Sequence, residues 1–197
     1  MNTEDYLNKV SLRKTLCFMF SGKAGVGKTF WSDILQKYLQ DSGYKSYKSP
    51  FARGVKDTAN FMGWNGKKDE KGRILLQEIG KSGRAYDINM WAKSAFLSIE
   101  DSVGYPYDCV FIDDWRFKDE YYYVVEKEPL YHPIRIRIEA SEREILKGTP
   151  QYDDVSETDL DDFVFDYKID NHDDGKSRIL DLLDIATRSE IQKMANG

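Results

Sequence analysis

The feature that most constrains the fold is an eight-residue segment with the pattern G-x-x-x-x-G-K-T, formed by Gly22, Lys23, Ala24, Gly25, Val26, Gly27, Lys28 and Thr29. An apolar run at residues 16–20 precedes it and predicts a buried strand, and an amphipathic stretch at residues 30–39 follows it and predicts a helix. Glycines let backbone N–H groups curl around an anion, and the N-terminus of a following helix attracts the same anion. A strand, a glycine-rich turn and a helix in this order indicate the phosphate-binding loop called Walker A.

The last two residues of this segment carry its chemistry. Lys28 supplies a positive charge for the β- and γ-phosphates of a nucleotide, and Thr29 places a hydroxyl where it can hold Mg²⁺. An ordinary glycine-rich turn between a strand and a helix would give no reason for Lys and Thr directly after its last glycine. The segment therefore predicts binding of ATP with Mg²⁺, and it leaves open what happens to the nucleotide.

A second ligand-binding element is predicted where the apolar run 109–112 ends in Asp113 and Asp114. An apolar run without alternation is typical of a parallel strand with helices on both faces, and ligands bind at the carboxyl ends of such strands. Successive strand residues point to opposite faces, so one carboxylate can face the phosphates while its neighbour faces elsewhere. Asp113, the first acidic position after the run, is the metal candidate on this Walker B pattern. A solvated strand end is the simpler alternative.

Strands and helices alternate along the chain. Strands are predicted at residues 15–21, 45–49, 109–112, 134–138 and 163–169. Helices are predicted at residues 28–40, 51–63, 74 to 80–83, 88–99, 117–128, 141–147 and 177–194, with an acidic loop at 149–162. The first helix is predicted to bury Phe30, Ile34, Leu35, Tyr38 and Leu39. This alternation predicts a three-layer α/β fold with a mainly parallel sheet of about five strands and helices on both faces, within a single domain.

The segment 51–107 lies between the two ligand-binding elements and is rich in basic residues. Its cations are Arg53, Lys56, Arg73, Lys81, Arg84 and Lys93. Cations on helices that pack over the ligand edge of the sheet could hold a second anion. For any one of them alone, a surface charge on an amphipathic helix is the simpler interpretation. A second phosphate pocket would distinguish a small-molecule kinase from a motor or switch ATPase.

Composition and charge exclude several classes of protein. The net charge of −5 argues against a general nucleic-acid-binding surface. No stretch is long and apolar enough to span a bilayer, and residues 1–14 do not resemble a signal peptide. Cys17 and Cys109 lie in predicted core strands and are interpreted as buried reduced thiols. We therefore expect a cytoplasmic protein without membrane or stable nucleic-acid partners. His132 and His172, isolated in predicted loops, are given no catalytic role.

Five further segments resemble the deoxynucleoside monophosphate kinases of phages, in the nucleoside monophosphate kinase superfamily. Residues 51–56 (FARGVK) resemble F-A-x-x-L-K, residues 73–80 (RILLQEIG) resemble R-x-L-L-Q-x-x-G-T, and residues 110–120 resemble V-I-x-D-x-R-F-x-x-E. Residues 155–157 and 165–171 resemble the family's H-x-S-E and D-x-x-I-x-N tail. The combination of the second and third patterns is the specific part. The chain departs from the family at Val55, Lys81 and Asp154, where the family has Leu, Thr and His.

This resemblance implies a P-loop kinase domain over residues 1–197 that phosphorylates a deoxynucleoside monophosphate with ATP in the cytoplasm of a phage host. The implied catalytic residues are Lys28, Asp113, Asp114 and Arg116. The implied acceptor-binding residues are Arg53, Lys56, Arg73, Gln77, Arg84, Trp91 and Arg143. Residues 51–107 would be an acceptor-binding insert, and residues 141–162 would be a lid with Arg143 and Lys147 as its phosphate-facing cations. The family pattern favours Asp114 over Asp113, and both are kept.

Two alternatives stay open. One is a P-loop kinase for another phosphorylated small molecule, such as phosphomevalonate, because the departures from the family fall in the acceptor region. The other is a regulatory protein that binds ATP without an acceptor. The kinase interpretations predict nucleotide turnover stimulated by an acceptor, and the regulatory one predicts nucleotide affinity alone. The expected partner is a nucleotide substrate, and a homodimer is compatible with the sequence.

Overall fold

Five segments form one parallel sheet in the computed structural model, which describes residues 14–127, 130–140, 148 and 150–171. The strands are β1 (Thr15–Ser21), β2 (Ser46–Lys48), β3 (Cys109–Ile112), β4 (Tyr131–Glu139) and β5 (Tyr167–Asp170). They lie in the order β2-β3-β1-β4-β5, and every neighbouring pair is parallel. The predicted α/β fold with a parallel sheet of about five strands is confirmed.

Helices connect these strands. They are α1 (Lys28–Asp41), α2 (Arg53–Phe61), α3 (Glu70–Tyr86), α4 (Met90–Glu100), α5 (Lys118–Glu126) and the single turn α6 (Val155–Thr158), which follows a 3₁₀ turn at Pro150–Asp153. Parallel neighbours need such crossovers because a tight turn cannot return the chain to the same end of the sheet. No helix within the described ranges has both the length and the apolar character to cross a membrane.

Helices cover both faces of the sheet and give it two cores. On one face, Phe18 of β1 stacks on Phe111 of β3 with ring centroids 5.1 Å apart, and Leu35 of α1 belongs to the same cluster. On the other face, Met19 of β1 lies in a cluster with Phe96 of α4 and with α5. Each buried side chain of this size stabilises the fold by about 1.5–3 kcal/mol. Helix, sheet and helix are the three predicted layers.

The topology brings the two predicted ligand-binding elements together. β1 is the central strand, buried along its whole length, with β3 on one side and β4 on the other. The register pairs Leu16 with Cys109 and Thr15 with Tyr131, so the three strands end at the same edge. The chain crosses from β1 to β2 on one side of the sheet and later from β3 to β4 on the other side of β1, so the connections change direction beside β1. Ligands bind in the crevice at such a point.

The buried face of α1 differs from the predicted one. Phe30 and Tyr38 are 47% and 37% exposed, whereas Trp31, Leu35 and Leu39 are buried. Successive residues of a helix are about 100° apart, so burying Trp31 turns the residue before it away from the core. The prediction is confirmed for Leu35 and Leu39 and wrong for Phe30 and Tyr38, because Trp31 takes the buried position at the start of the helix.

Several other element boundaries also differ, and packing explains two of them. α3 continues to Tyr86 instead of ending at residues 80–83, because Gly83 is a packing position against Trp91 and does not cap the helix. β5 is shorter than the predicted strand 163–169, since Phe163 and Phe165 pack against Trp115 with ring centroids 5.2 and 5.5 Å away. The first residues of the predicted strand therefore build the second core.

Several smaller predictions can also be compared with the structure. His132 lies in β4, paired with Leu16, and not in a loop. The predicted acidic loop contains the 3₁₀ turn and α6. Cys17 and Cys109 are buried and free, and burial raises the pKa of both thiols, as expected for inert core residues. The predicted helices 141–147 and 177–194, with Arg143, Lys147 and His172, lie outside the described residues.

Candidate active site

The phosphate loop, residues 22–29, has a backbone that only glycine tolerates at three places. Gly22, Gly25 and Gly27 have φ angles of 146°, 90° and 99°. A Cβ at Gly22 would lie 2.3 Å from the carbonyl oxygen of Ile138, and a Cβ at Gly27 would lie 2.6 Å from Nδ2 of Asn171. The glycines of the motif are thus needed both for the turn and for its close contact with β4 and with the end of β5.

Asn171, the first residue after β5, anchors the phosphate loop through a side-chain hydrogen bond. Its Nδ2 donates to the carbonyl oxygen of Val26 at 2.9 Å, and its backbone N–H donates to the carbonyl oxygen of Glu139 at 2.7 Å. The residue is 4% exposed. A buried hydrogen bond of this kind fixes the loop before any ligand arrives. Asn171 was part of the family resemblance, but no role was predicted for it.

Lys28 folds back onto the phosphate loop. Its Nζ donates to the carbonyl oxygens of Gly22 and Lys23 at 2.7 and 2.9 Å. Burial, followed by the positive charge of Arg116, lowers the pKa of this ammonium to about 7, although Glu157 opposes the shift. The ammonium has lost water without gaining a full counter-charge, so an incoming phosphate would stabilise its charged form.

The predicted metal ligands Thr29 and Asp113 lie at the start of α1 and directly after β3. Thr29 is exposed, whereas Asp113 is buried with its carboxylate 3.7 Å from Nζ of Lys48. No three His, Cys, Asp or Glu side chains converge on a metal position anywhere in the described ranges. Mg²⁺ at a nucleotide takes most of its ligands from phosphates and water, and one hydroxyl with one carboxylate suits that coordination. This donor set fits the ion.

Asp114 serves a different purpose from its neighbour. Its two carboxylate oxygens accept the backbone N–H groups of Phe51 and Ala52 at 2.8 and 3.0 Å. Burial and the nearby charge of Asp113 raise its pKa. Asp114 therefore fastens the start of the 51–107 segment to the carboxyl end of β3, and the two aspartates are directed to different partners.

A cavity of about 260 Å³ opens beside the phosphate loop, between the sheet edge and helices α2, α3 and α4. It carries six basic side chains, from Lys56, Lys68, Arg73, Lys81, Arg84 and Arg116. Four acidic side chains also line it, from Asp114, Glu120, Asp154 and Glu157. We call it the basic cavity, because positive charge is in excess there although the whole chain carries −5. Such a local excess favours an anionic ligand.

The cations of the basic cavity lie close enough to repel one another. Burial, followed by the charges of Lys56, Arg73 and Arg116, lowers the pKa of the Lys68 ammonium. Arg84 lies with its Cζ 3.9 Å above the centre of the Phe117 ring, and burial lowers the pKa of its guanidinium. A bound phosphate would relieve this repulsion.

Glu120 lines the same cavity but offsets less positive charge than its position suggests. Its Oε2 accepts the backbone N–H groups of Arg116 and Phe117 at 2.9 and 3.0 Å. Burial, with a contribution from Asp114, raises its pKa to about 8. A carboxyl group with this pKa is largely protonated at neutral pH, so it offsets little of the positive charge in the cavity.

Aromatic side chains form the apolar walls of the basic cavity. They come from Phe51, Trp91 and Phe117. Trp91 is also a structural wedge, because its Nε1 donates to the carbonyl oxygen of Gly80 at 3.0 Å and its ring fills the space that a Cβ at Gly83 would need. Flat apolar walls beside clustered cations can hold a flat ring that bears a phosphate.

A buried carboxylate from the segment after the 3₁₀ turn closes the cavity against the phosphate loop. Oε2 of Glu157 accepts the backbone N–H of Ala24 at 2.9 Å, and its Oε1 pairs with Nη1 of Arg116. Lys23 donates from its Nζ to the carbonyl oxygen of Glu157 at 2.6 Å and to Asp161 at 2.8 Å. The loop is thus tied to residues more than a hundred positions later in the chain.

Most of the predicted acceptor-binding residues come together in the basic cavity. These are Lys56, Arg73, Gln77, Arg84 and Trp91, with the predicted catalytic residues Asp114 and Arg116 beside them. Arg53 does not join them, since its Nη1 donates to Tyr47 and Ser98 at 3.1 and 3.0 Å. Lys93 pairs with Asp87 at 2.5 Å, away from the lining. Ligand binding by any of these residues stays a prediction.

Besides Asn171, the site residues without a predicted role include Lys68, Glu120 and Glu157. Lys68 lies in a polar segment between two predicted helices, where a lysine carries no signal of its own. Glu120 and Glu157 both belong to motifs of the family resemblance, and those motifs were the signal that could have found them. Their burial, at 8% exposure each, is what marks them in the structure.

Comparisons with known proteins add little to this geometry. No protein-family model matches the chain, and no curated protein matches it. Among solved structures 17 chains match. One of them, the crystal structure of APE1195, is 16% identical with a TM-score of 0.46, over 90% of this chain and 96% of its own. Likeness at that level carries no information on function, so the functional case rests on the site itself.

Proposed function

We propose that this chain is a P-loop kinase that transfers the γ-phosphoryl group of ATP to a deoxynucleoside monophosphate. The observation that carries this proposal is the basic cavity next to the phosphate loop. A protein that only bound or hydrolysed ATP would need the loop and a water molecule. It would have no use for a second concentration of cations with aromatic walls beside the loop.

The chemistry of the basic cavity suits the two ends of a nucleotide. Its cations suit a phosphate, since Arg and Lys form charge-assisted hydrogen bonds with phosphate oxygens. Its aromatic walls, together with Val55 and Leu76, suit the faces of a nucleobase. The resemblance to phage deoxynucleoside monophosphate kinases supports the same acceptor, because its R-x-L-L-Q and D-x-R-F-x-x-E segments both line this cavity.

Transfer on this site would be a direct displacement between two bound phosphates. An oxygen of the acceptor phosphate forms a bond to the γ-phosphorus, and the bond from that phosphorus to the β–γ bridging oxygen breaks as ADP leaves. Lys28 at the loop and Arg116 in the cavity neutralise the charge that develops. Mg²⁺, which Thr29 and Asp113 would hold, supplies further positive charge at the donor phosphates. Positioning, more than covalent chemistry of the protein, carries the rate.

The test is a coupled assay of ADP release with ATP, Mg²⁺ and a panel of nucleoside and deoxynucleoside monophosphates, with phosphomevalonate as an outgroup. Strong stimulation by one or a few deoxynucleotides is the expected result. Stimulation by phosphomevalonate alone would replace the acceptor class and keep the kinase. Tight ATP binding without stimulation by any acceptor would contradict the proposal and favour the regulatory alternative.

A further inference from the structure

The contact between Glu157 and Arg116 joins the two halves of the site. Glu157 uses one oxygen for the backbone of the phosphate loop, at Ala24, and the other for the guanidinium that lines the basic cavity. It is buried, and it reaches the loop from 133 positions away in sequence. A buried carboxylate needs well-placed donors to offset its lost hydration, so both contacts are under strong geometric constraint.

Arg116 is held in a way that leaves most of its donors available. Among the described residues only Nη1 has acceptors, namely Glu157 and, at 2.9 Å, the carbonyl oxygen of Ser156. Within the described part of the chain, Nε and Nη2 have no hydrogen-bond partner. The positive charge of Arg116 is near enough to Lys28 to help lower the pKa of that ammonium. Its remaining donors therefore lie between the loop lysine and the basic cavity.

We propose that Glu157 is a positioning residue, which holds the guanidinium of Arg116 at the junction between the donor phosphates and the acceptor phosphate. This inference rests on the proposed function. Without this contact, the long side chain of arginine would lose conformational entropy each time it bound the transferring phosphoryl group. Because Glu157 is itself anchored on the Ala24 N–H, the arginine is aligned with the loop that binds the nucleotide.

Glu157→Gln separates the two contacts of this carboxylate. Its remaining carbonyl oxygen can still accept the Ala24 N–H, but its NH₂ group would then face the Arg116 donors and cannot accept from them. The variant therefore keeps the brace on the loop and loses the hold on the arginine. Asp162→Asn is the matched control, because Asp162 lies in the same segment and forms an ion pair with Lys118 at 2.7 Å, away from the phosphate loop.

The first measurement is steady-state kinetics with ATP and the best acceptor from the panel. Glu157→Gln is expected to lower kcat by about 10- to 100-fold, as for other small misplacements of a catalytic group, with KM for ATP within about twofold of the wild type. Asp162→Asn should match the wild type. In combination with Arg116→Ala, Glu157→Gln should cost no further activity, since a residue that acts through another adds nothing once that residue is gone. Additive losses in the double variant, or tighter ATP binding by Glu157→Gln, would overturn the proposal.

The second measurement does not depend on activity. In ¹⁵N-labelled protein, the Arg116 side-chain Nε–H of the wild type should show restricted motion, and the same group in Glu157→Gln should be mobile while the Ala24 amide signal keeps its position. An arginine that is equally restricted in both proteins would overturn the inference even if the kinase assay succeeded. If no acceptor stimulated the wild type but the arginine became mobile in the variant, the positioning role would stand and the proposed reaction would fail.

Discussion

The phosphate loop and the basic cavity are built in opposite ways. The loop is one contiguous segment. Nζ of Lys28 donates to two backbone carbonyl oxygens of the same loop, at 2.7 and 2.9 Å. The cavity draws its lining from α2, α3, α4 and the segments after β3 and before β5, and its cations repel one another. The loop orients its lysine with its own carbonyl oxygens and is braced by Asn171 and Glu157, whereas the cavity gathers cations that a ligand would neutralise.

This difference separates two kinds of binding site. A loop whose donors are already oriented should lose little conformational entropy when phosphate binds, and its residues are recognisable in the sequence. A cavity in which like charges repel one another should gain stability when an anionic ligand binds. Its residues come from separate elements, so they can be recognised only in the folded structure. Substitutions in the phosphate loop should therefore lower the rate of transfer, and substitutions in the basic cavity should lower the affinity for the acceptor.

The largest effect is expected from Lys28→Ala, which removes the charged donor of the phosphate loop. Transfer should fall by at least about 10²–10³-fold, the usual loss when one preorganised donor to a transition state is removed. The melting temperature should not fall, because folding lowers the pKa of this ammonium and so disfavours its charged form at neutral pH. Coupled ADP release and circular dichroism melts measure the two quantities. Lys37→Ala, which removes an exposed lysine of the same helix, is the control.

The next effect tests the acceptor side with two cations from one helix. Lys56→Ala should raise KM for the acceptor by about tenfold or more, since a hydrogen bond to a charged group is worth about 1.5–3 kcal/mol. Arg53→Ala, one turn earlier on α2, should leave KM within about twofold, because Arg53 is directed to Tyr47 and Ser98. Equal effects of the two substitutions would show that the cavity does not define the acceptor site.

A smaller effect concerns two glycines one turn apart on α3. In Gly83→Ala the new Cβ would lie 2.3 Å from Cζ2 of Trp91, so the cavity wall must shift at a cost of about 1–3 kcal/mol. In Gly80→Ala the nearest atom would be 3.6 Å away, and the variant should gain up to about 1 kcal/mol from helix propensity. Urea unfolding measures both. Destabilisation by Gly80→Ala as large as that by Gly83→Ala would contradict the wedge role of Trp91.

The last prediction concerns two opposite pH dependences of the free energy of unfolding, each small per pH unit. Glu120 binds its proton in the folded state up to a pKa of about 8 and in the unfolded state only up to 4.5, so the free energy of unfolding should fall as pH rises between these values. Lys28 loses its proton near pH 7 in the folded state and near pH 10.5 in the unfolded state. The free energy of unfolding should therefore rise with pH between these values through this group.

Each group changes the free energy of unfolding by at most about 1.4 kcal/mol per pH unit. Urea unfolding at a series of pH values would show it as a changing difference between the wild type and Glu120→Gln below pH 8, or Lys28→Ala above pH 7. A constant difference across either interval would mean that the corresponding group is not desolvated by folding.

The parts of this fold that could be predicted from sequence are those in which neighbouring residues decide the structure. The phosphate loop, β1 and β3 all fall where their patterns placed them, because apolar runs and glycines act locally. The boundaries of α3 and β5 could not be predicted, since they depend on Trp91 and Trp115, which pack from other elements. A local sequence pattern predicts which element forms, and packing against distant residues determines where that element ends.

The same distinction applies to the candidate site. Lys28, Thr29 and Asp113 were named from patterns of eight or fewer residues. Arg53 and Lys56 could not be told apart, because both are cations on one helix and only its rotation against α4 directs them to different partners. Lys68 carries no local signal of its own, and Glu157 is marked only by a motif of the family resemblance, since each owes its place in the site to contacts across the fold.

The hydrogen bond from Asn171 to Val26 spans 145 residues and sets an order of events during synthesis. The phosphate loop is translated long before its brace, because Asn171 follows all five strands in the chain. A nascent chain shorter than 171 residues therefore has the motif without the buried contact that fixes it. Contacts of such long range form late and slow the folding of a domain. Capture of growing chains on immobilised nucleotide would report the moment when the last strand joins the sheet.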